Sequence, residues 1–465
     1  MSKNSKKMER SEFLKIMGAA TLATAAAGSC IGGGGGSKSK GGAASSSTKI
    51  EGELTTRVST KGDKVAILGY GGTKWPLLEN PEPGKSVVDQ EAVEELIDYA
   101  IAHGVNYFDT APPYSQGWSE EAVGKALSRY PRDKFLIGTK MSSQYNTDPT
   151  AFREYSLNLY YQSFKRLQVD YFDYYMLHSV GRTKSSFNER FIDSGMLDFL
   201  IEERKAGRIR NLGWSFHGNV ETFDWILAMH EEVHWDFVLI QLNYADWRHA
   251  TGANVNAEYL CQELDKRNIQ AMVMEPLRGG RLASSLPNHI NERLKRREPE
   301  MSIASWAFRF SASHNCVLTV LSGMTYMEHL KDNLATYSPL EPMSEDEFEF
   351  IEQTAELLSD YPTVDCNDCL YCMPCPYGLD IPGIFSHYNK CVNEGKVVSS
   401  RDDDEYRKAR RAYLVSYDRA IPTRRQADRC IGCGECIHHC PQGINIPSQL
   451  NRISNYIEKL RADKL

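Results

Sequence analysis

At 465 residues the chain is too long for one core of ordinary size, so two ordered domains plus a tail are expected. A net charge of -7 with both signs interspersed leaves no continuous basic field, which argues against nucleic acid as the main partner. Eight of the twelve cysteines fall in two bunches late in the chain, whereas a disulfide framework would spread its thiols through the fold.

The chain opens on "KKMERSEFLKIMGAATLATAAAGSC", with a basic start, an apolar Ala-rich middle and small residues before Cys30. This leader, residues 1–30, resembles a twin-arginine export signal: Arg10, Phe13, Leu14 and Lys15 are in place, and Ser11 stands where the second arginine belongs. "AGSC" resembles a lipoprotein processing box, which would put a lipid on Cys30 and tether the chain to a membrane. These resemblances imply an exported protein, periplasmic or lipid-anchored at the cell envelope. A disordered leader on a cytoplasmic protein is the alternative. Residues 31–49, with "GGGGGSKSKGGAASSS", are too polar and Gly-rich to bury a core and form a flexible tether. Beyond the leader no apolar run reaches membrane-spanning length.

From Val65 onward, short apolar runs alternate with helical patterns. Eight runs predict buried strands: "VAILGYGG", "VNYFD", "FLIGTK", "YFDYYMLH", "IRNLGWSFH", "FVLIQLNY", "QAMVMEPL" and "VLTVLSGM". Between them, Val93, Leu96, Ile97, Ala100 and Ile101, and again Leu157, Tyr160, Tyr161 and Phe164, recur at helical spacing and predict one buried stripe each. Eight such units with right-handed crossovers predict an α/β fold, a TIM (β/α)8 barrel over residues 50–345. A doubly wound sheet is the alternative. It would want a Gly-rich phosphate turn leading into a helix, and "GYGGTKW" leads instead into a long loop.

In such a barrel, reacting groups sit at the C-terminal ends of the strands. Asp109 closes "VNYFD", Tyr114 follows in "DTAPPYS", Lys140 ends "FLIGTK" and His178 ends "YYMLH". Each alone has a plain reading: a turn cap, a loop liner, a solvated cation, a core histidine. Together they can deliver a proton to a carbonyl oxygen as hydride reaches its carbon. A phenol with a pKa of roughly 10 is a poor acid near neutrality, and a neighbouring ammonium lowers that value. Tyr114 is the acid in this scheme, Lys140 its tuner, Asp109 the partner of Lys140, and His178 a donor that orients the carbonyl.

With these four residues in this order, the region from about Val65 to Asn333 resembles an aldo-keto reductase. The resemblance implies a barrel that binds NAD(P)H without a Rossmann domain and interconverts a small carbonyl compound and its alcohol. By the same resemblance Ser215 in "GWSFH" and Gln241 in "IQLNY" hydrogen-bond the nicotinamide carboxamide. "EPLRGG", with Pro276, Leu277 and Gly279, and "SGMTYMEHLKDN", with Gly323, Glu328 and Asn333, resemble the segments that close over the pyrophosphate and the adenosine. Phe216 stands where the family usually has Asn, and Met274 where an aromatic commonly stacks on the nicotinamide. Tyr326 stands where a basic residue often grips the 2'-phosphate of NADP, so the cation for that phosphate is missing.

Residues 346–465 read as a second, mainly helical domain carrying the cysteine bunches. Cys430, Cys433, Cys436 and Cys440, followed by Pro441, have the gaps of a bacterial ferredoxin run. Cys366, Cys369, Cys372 and Cys375 repeat it with a shorter last gap, and "GLDIP" or "GINIP" follows each. In two-cluster ferredoxins the fourth cysteine of each run serves the other cluster. That rule assigns Cys366, Cys369 and Cys372 with Cys440, and Cys430, Cys433 and Cys436 with Cys375, to two 4Fe-4S centres. Tetrathiolate zinc is the alternative metal. The combination of barrel and dicluster domain resembles a known subfamily and implies a redox enzyme whose clusters relay electrons, with a redox partner protein. The competing reading is an electron-transfer or binding protein with an inactive barrel and structural clusters.

Overall fold

The computed structural model describes residues 50–465 except Pro83, Gln144, Tyr145, Thr147 and Ala253. The expected export leader, Cys30 and the tether lie outside the described residues.

A hairpin of β1 (Thr56–Val58) and β2 (Lys64–Ala66) precedes the barrel. The barrel strands are β3 (Leu68–Gly71), β4 (Tyr107–Asp109), β5 (Leu136–Met141), β6 (Phe172–Val180), β7 (Ile209–Phe216), β8 (Phe237–Gln241), β9 (Gln270–Met274) and β10 (Val317–Ser322). They are parallel and close in the order β10-β3-β4-β5-β6-β7-β8-β9. Each expected strand run supplies one of them, and the run from Val65 is shared between β2 and β3. Closure rules out the doubly wound sheet and sends any active site to the C-terminal mouth.

The helix Gln90–Ala102 starts at Asp89, whose carboxylate accepts from the Ala92 N–H, and it buries Val93, Leu96, Ile97 and Ala100 as the spacing predicts. The helix Phe152–Leu167 differs from expectation. It buries Phe152, Ser156, Tyr160, Ser163 and Leu167, while Tyr161 is 50% exposed. Two serines in the contact stripe let the helix sit close to the barrel, and hydropathy does not flag serine as a contact residue.

The helix Glu345–Ser359 begins with a reciprocal capping box between Ser344 and Glu347 and places Ile351 and Ala355 in the barrel core. The domain boundary expected after residue 345 therefore falls later, before Val364, where a separate core begins. Charge on the solvent face of this helix masks its buried side in the sequence. The second core packs the helices Ile381–Asn393, Tyr406–Ala420 and Ile446–Ala462 around Phe385, Tyr413, Tyr417 and Ile453. Five of the bunched cysteines, Cys366, Cys372, Cys375, Cys430 and Cys436, lie against it. Among the described residues no helix is long and apolar enough to cross a membrane.

Candidate active site

Parallel pairing sets Asp109 of β4 beside Gly138 of β5, and Lys140 of β5 beside Met176 of β6, so the strand ends bring the expected residues to one mouth. Asp109 and Lys140 form an ion pair with side chains only 3% and 1% exposed. Lys140 Nζ also donates to the Thr110 carbonyl at 2.8 Å and stands 4.9 Å from the centre of the Tyr114 ring. The Tyr114 and His178 rings meet edge to face, 5.9 Å between centres. All four side chains line one cavity of about 740 Å³.

Burial pushes the Asp109 carboxyl up and the Lys140 amine down, each shift opposed by the other's charge. Burial, then the nearby Lys140, His217 and Arg190, hold His178 well below the usual imidazole range, so its ring is neutral near pH 7. Sequence reasoning missed the groups that place this ring. Ser142 Oγ lies 2.6 Å from His178 Nδ1, and Arg190 donates to the carbonyl oxygens of His178 and Ser179 at 2.6 and 3.1 Å. Ser142 follows Lys140 by two, and strand alternation would have placed both on one face. Arg190 sits in a helical loop that carries no such signal.

The residues expected at the dinucleotide divide into two groups. Ser215, Pro276, Leu277, Gly279, Gly323, Glu328 and Asn333 line the same cavity as the four polar residues. Ser215 Oγ accepts from the Ser179 N–H at 2.8 Å, steadying a residue at φ 51°, and Asn333 Nδ2 donates to Ser322 Oγ at 2.9 Å. Gln241 is instead nearly buried, its Nε2 donating to Asp246 at 2.7 Å and its Oε1 accepting from Gln442 at 3.0 Å. The cavity fits a dinucleotide. It runs from the Tyr114 end to Asn333, its volume is that of a cofactor cleft, and Gly280 and Gly323 leave backbone open to an approaching phosphate.

The two cysteine runs interlock. Cys440 lies in the electrostatic neighbourhood of Cys366, Cys369 and Cys372, and Cys436 in that of Cys375, Cys433 and Cys430 and also of Cys372. The backbone at Asp368 and Tyr371 favours the thiolate forms of Cys366 and Cys369, and that at Gln442, Gly443 and Ile444 the thiolate form of Cys440, against the raising effect of burial. Positive φ at Asp368 and Leu370 turns the first loop, and Gly432 and Gly434 hold the matching places in the second. Turning the chain in this way aims successive N–H groups inward, a nest suited to anionic sulfur. Burial pushes the Cys366 and Cys436 thiols up to about 11, an environment that suits thiolates only when a metal shares their charge. Two sets of four converging thiols fit two 4Fe-4S centres. Cys391 belongs to neither set and lies in the second core near His387 and Ser416.

A sequence family described as the aldo/keto reductase family matches residues 68–356. The chain belongs to the aldo/keto reductase family. Residues 365–445 match a family described as a 4Fe-4S dicluster domain. Aldo-keto reductase YhdN of Bacillus subtilis is 35% identical over 132 residues, 26% of this chain and 37% of that protein. L-galactose dehydrogenase of Arabidopsis thaliana is 24% identical over 327 residues, 64% of this chain and 92% of that protein. For the first of these relatives the chain spans well under half of its length. An aldo-keto reductase of Bacillus halodurans in its holo form shares the fold, with a TM-score of 0.51 and 23% identity over 65% of this chain and 96% of that one.

The aldo/keto reductase barrel does not enclose its cavity alone. Asn367, Cys369, Tyr371 and Pro441 of the dicluster domain complete its wall, with Asn367 against the Glu275–Gly280 segment. Sequence reasoning placed these residues in the cluster module only, because nothing along the chain encodes how two domains face each other. Cys369 of the first thiol set thus shares a cavity with Tyr114, and Cys433 of the second is exposed.

Proposed function

We propose that this protein interconverts an aldehyde or ketone and its alcohol, and that single electrons pass through its two clusters. The meeting of Tyr114, Lys140, Asp109 and His178 in one cavity carries the reading. When bound, a nicotinamide dinucleotide supplies the hydride. The Tyr114 hydroxyl gives its proton to the carbonyl oxygen, so hydride and proton together balance carbonyl against alcohol. Ser142 Oγ sits 2.6 Å from His178 Nδ1, and in the tautomer where that nitrogen accepts, the ring proton is on Nε2 and can hold the carbonyl oxygen in line. The eight thiols would hold two 4Fe-4S centres, which exchange single electrons when assembled. Cys369 at the cavity and Cys433 at the surface favour a relay in which an external redox partner exchanges two electrons, one at a time, with the nicotinamide, NAD+ taking them up together with one proton to give NADH. The leader supports export, and Cys30 supports a lipid tether, of the folded, cluster-bearing chain.

The test is nicotinamide turnover by anaerobically purified protein against a panel of aldehydes and ketones, and in reverse against their alcohols. No turnover in either direction, with clusters and fold intact, would overturn the reading.

The cavity near the adenosine segment carries Glu328 and Asp332, and Tyr326 is 62% exposed at the helix start nearby. Carboxylates accept from ribose hydroxyls and repel a phosphate. NADH is therefore expected to bind at least about tenfold tighter than NADPH, roughly the effect of one charge-assisted contact. Competing titrations check this, and a preference for NADPH contradicts it.

The buried pair sets the alkaline limit. Asp109 raises the Lys140 pKa against the lowering by burial, so Asp109→Asn removes the raising influence. The ammonium is then lost at lower pH, and the alkaline limb of the rate profile should move to lower pH than in wild type. An unmoved limb would separate Lys140 from the titration that limits the rate.

A further inference from the structure

The loops that carry the cavity-side thiols also grip the barrel segments that line the cavity. Asp365, just before Cys366, accepts from Arg278 at 2.8 Å and Arg281 at 3.1 Å. Asn367, just after Cys366, donates its Nδ2 to Glu275 Oε1 at 2.6 Å. Gly279 approaches this loop so closely that a Cβ there would run into the Asn367 carbonyl oxygen, and its φ of +69° already favours glycine. At the other end of the thiol set, Gln442 follows Cys440 by two residues. Its side chain donates to Gln241 at 3.0 Å and accepts from Asn254 at 2.8 Å. Glu275 itself sits at φ 57°, a conformation that persists only where its surroundings hold it.

We propose that Asn367 and Gln442 are positioning residues for the dinucleotide, fixing the Glu275–Gly280 segment and Gln241 from the iron–sulfur side so that the second domain completes the cofactor cleft. This deepens, and rests on, the nicotinamide reading above. A segment held before the cofactor arrives loses little conformational freedom on binding, whereas a released one must be ordered at the expense of affinity. Because neither residue is one of the four polar groups at the strand mouths, loosening them should raise KM for the dinucleotide and leave kcat nearly unchanged.

The test is a fluorescence titration of anaerobically purified, full-length holoprotein with NADH. Asn367→Asp sets a second carboxylate against Glu275 and should weaken NADH binding about tenfold. Combining Asn367→Asp with Glu275→Gln exchanges donor and acceptor, and should bring the affinity back to within about threefold of wild type. Should Asn367→Asp disturb cluster assembly, Gln442→Met serves as the second variant. It keeps the side-chain length, should weaken NADH binding about fivefold, and should add nothing further in a Gln241→Ala background. Iron content and visible cluster absorbance should match wild type in the variants compared. Wild-type affinity in Gln442→Met, or a loss in Asn367→Asp that the exchange does not recover, overturns the inference and leaves the nicotinamide reading standing. Wild-type protein with full clusters that binds no NADH sinks that reading, and this inference with it.

Discussion

Tyr114→Phe is expected to lower carbonyl reduction by about 10²–10⁴-fold, the usual worth of a placed general acid. The substitution removes one oxygen and keeps the ring that His178 meets edge to face and that Lys140 stands over. Fold, cluster content and NADH affinity should therefore stay near wild type, and the loss should fall on kcat. No other described residue duplicates the arrangement. His178 is neutral near pH 7 and bound to Ser142, while Lys140 is committed to Asp109 and the Thr110 carbonyl. Steady-state rates on one aldehyde, with parallel NADH titrations, check the prediction. Equal rates would make the barrel a binding module.

Cys440→Ala is expected to remove the cluster on the cavity side and spare the one at the surface, although Cys440 belongs to the later run. The reason is the crossed arrangement, with Cys440 near Cys366, Cys369 and Cys372. Iron should fall from about eight atoms per chain to about four, and the magnetic coupling between two reduced clusters should vanish. The loss should also lower the melting temperature, because the second core is small and its bunched cysteines lie against it, so that metal binding is part of its folding energy. Iron analysis, electron paramagnetic resonance and thermal melts check each part. A chain that instead loses the surface-side cluster would show that each run holds its own centre.

Much of this site was legible in the sequence because its signals are local. Asp109, Lys140 and His178 each close an apolar run, and strand periodicity with barrel closure is enough to bring such ends together. Cysteine spacing likewise encodes ligand sets, since two intervening residues leave few ways to place neighbouring thiols. Of the stripe expected on the Phe152–Leu167 helix, Tyr160 is buried and Leu157 and Phe164 pack against the barrel core, while Tyr161 is exposed and Ser156 and Ser163, which pack by being small, leave no hydropathy signal. The resemblance implies that Gln241 meets the nicotinamide, and its engagement by Gln442 has no signal along the chain, since the two lie 201 residues apart. Contacts such as Asp365 with Arg278 and Asn367 with Glu275 depend on shape complementarity between finished surfaces, and no periodicity announces them.

The interlocked thiols impose an order on biosynthesis. On the crossed assignment the set of Cys375 with Cys430, Cys433 and Cys436 needs the chain as far as Cys436, and the set of Cys366, Cys369 and Cys372 needs Cys440, by which time every barrel strand has emerged. Until then the cavity that Tyr114 and His178 line would lack the wall that Asn367, Cys369, Tyr371 and Pro441 add to it.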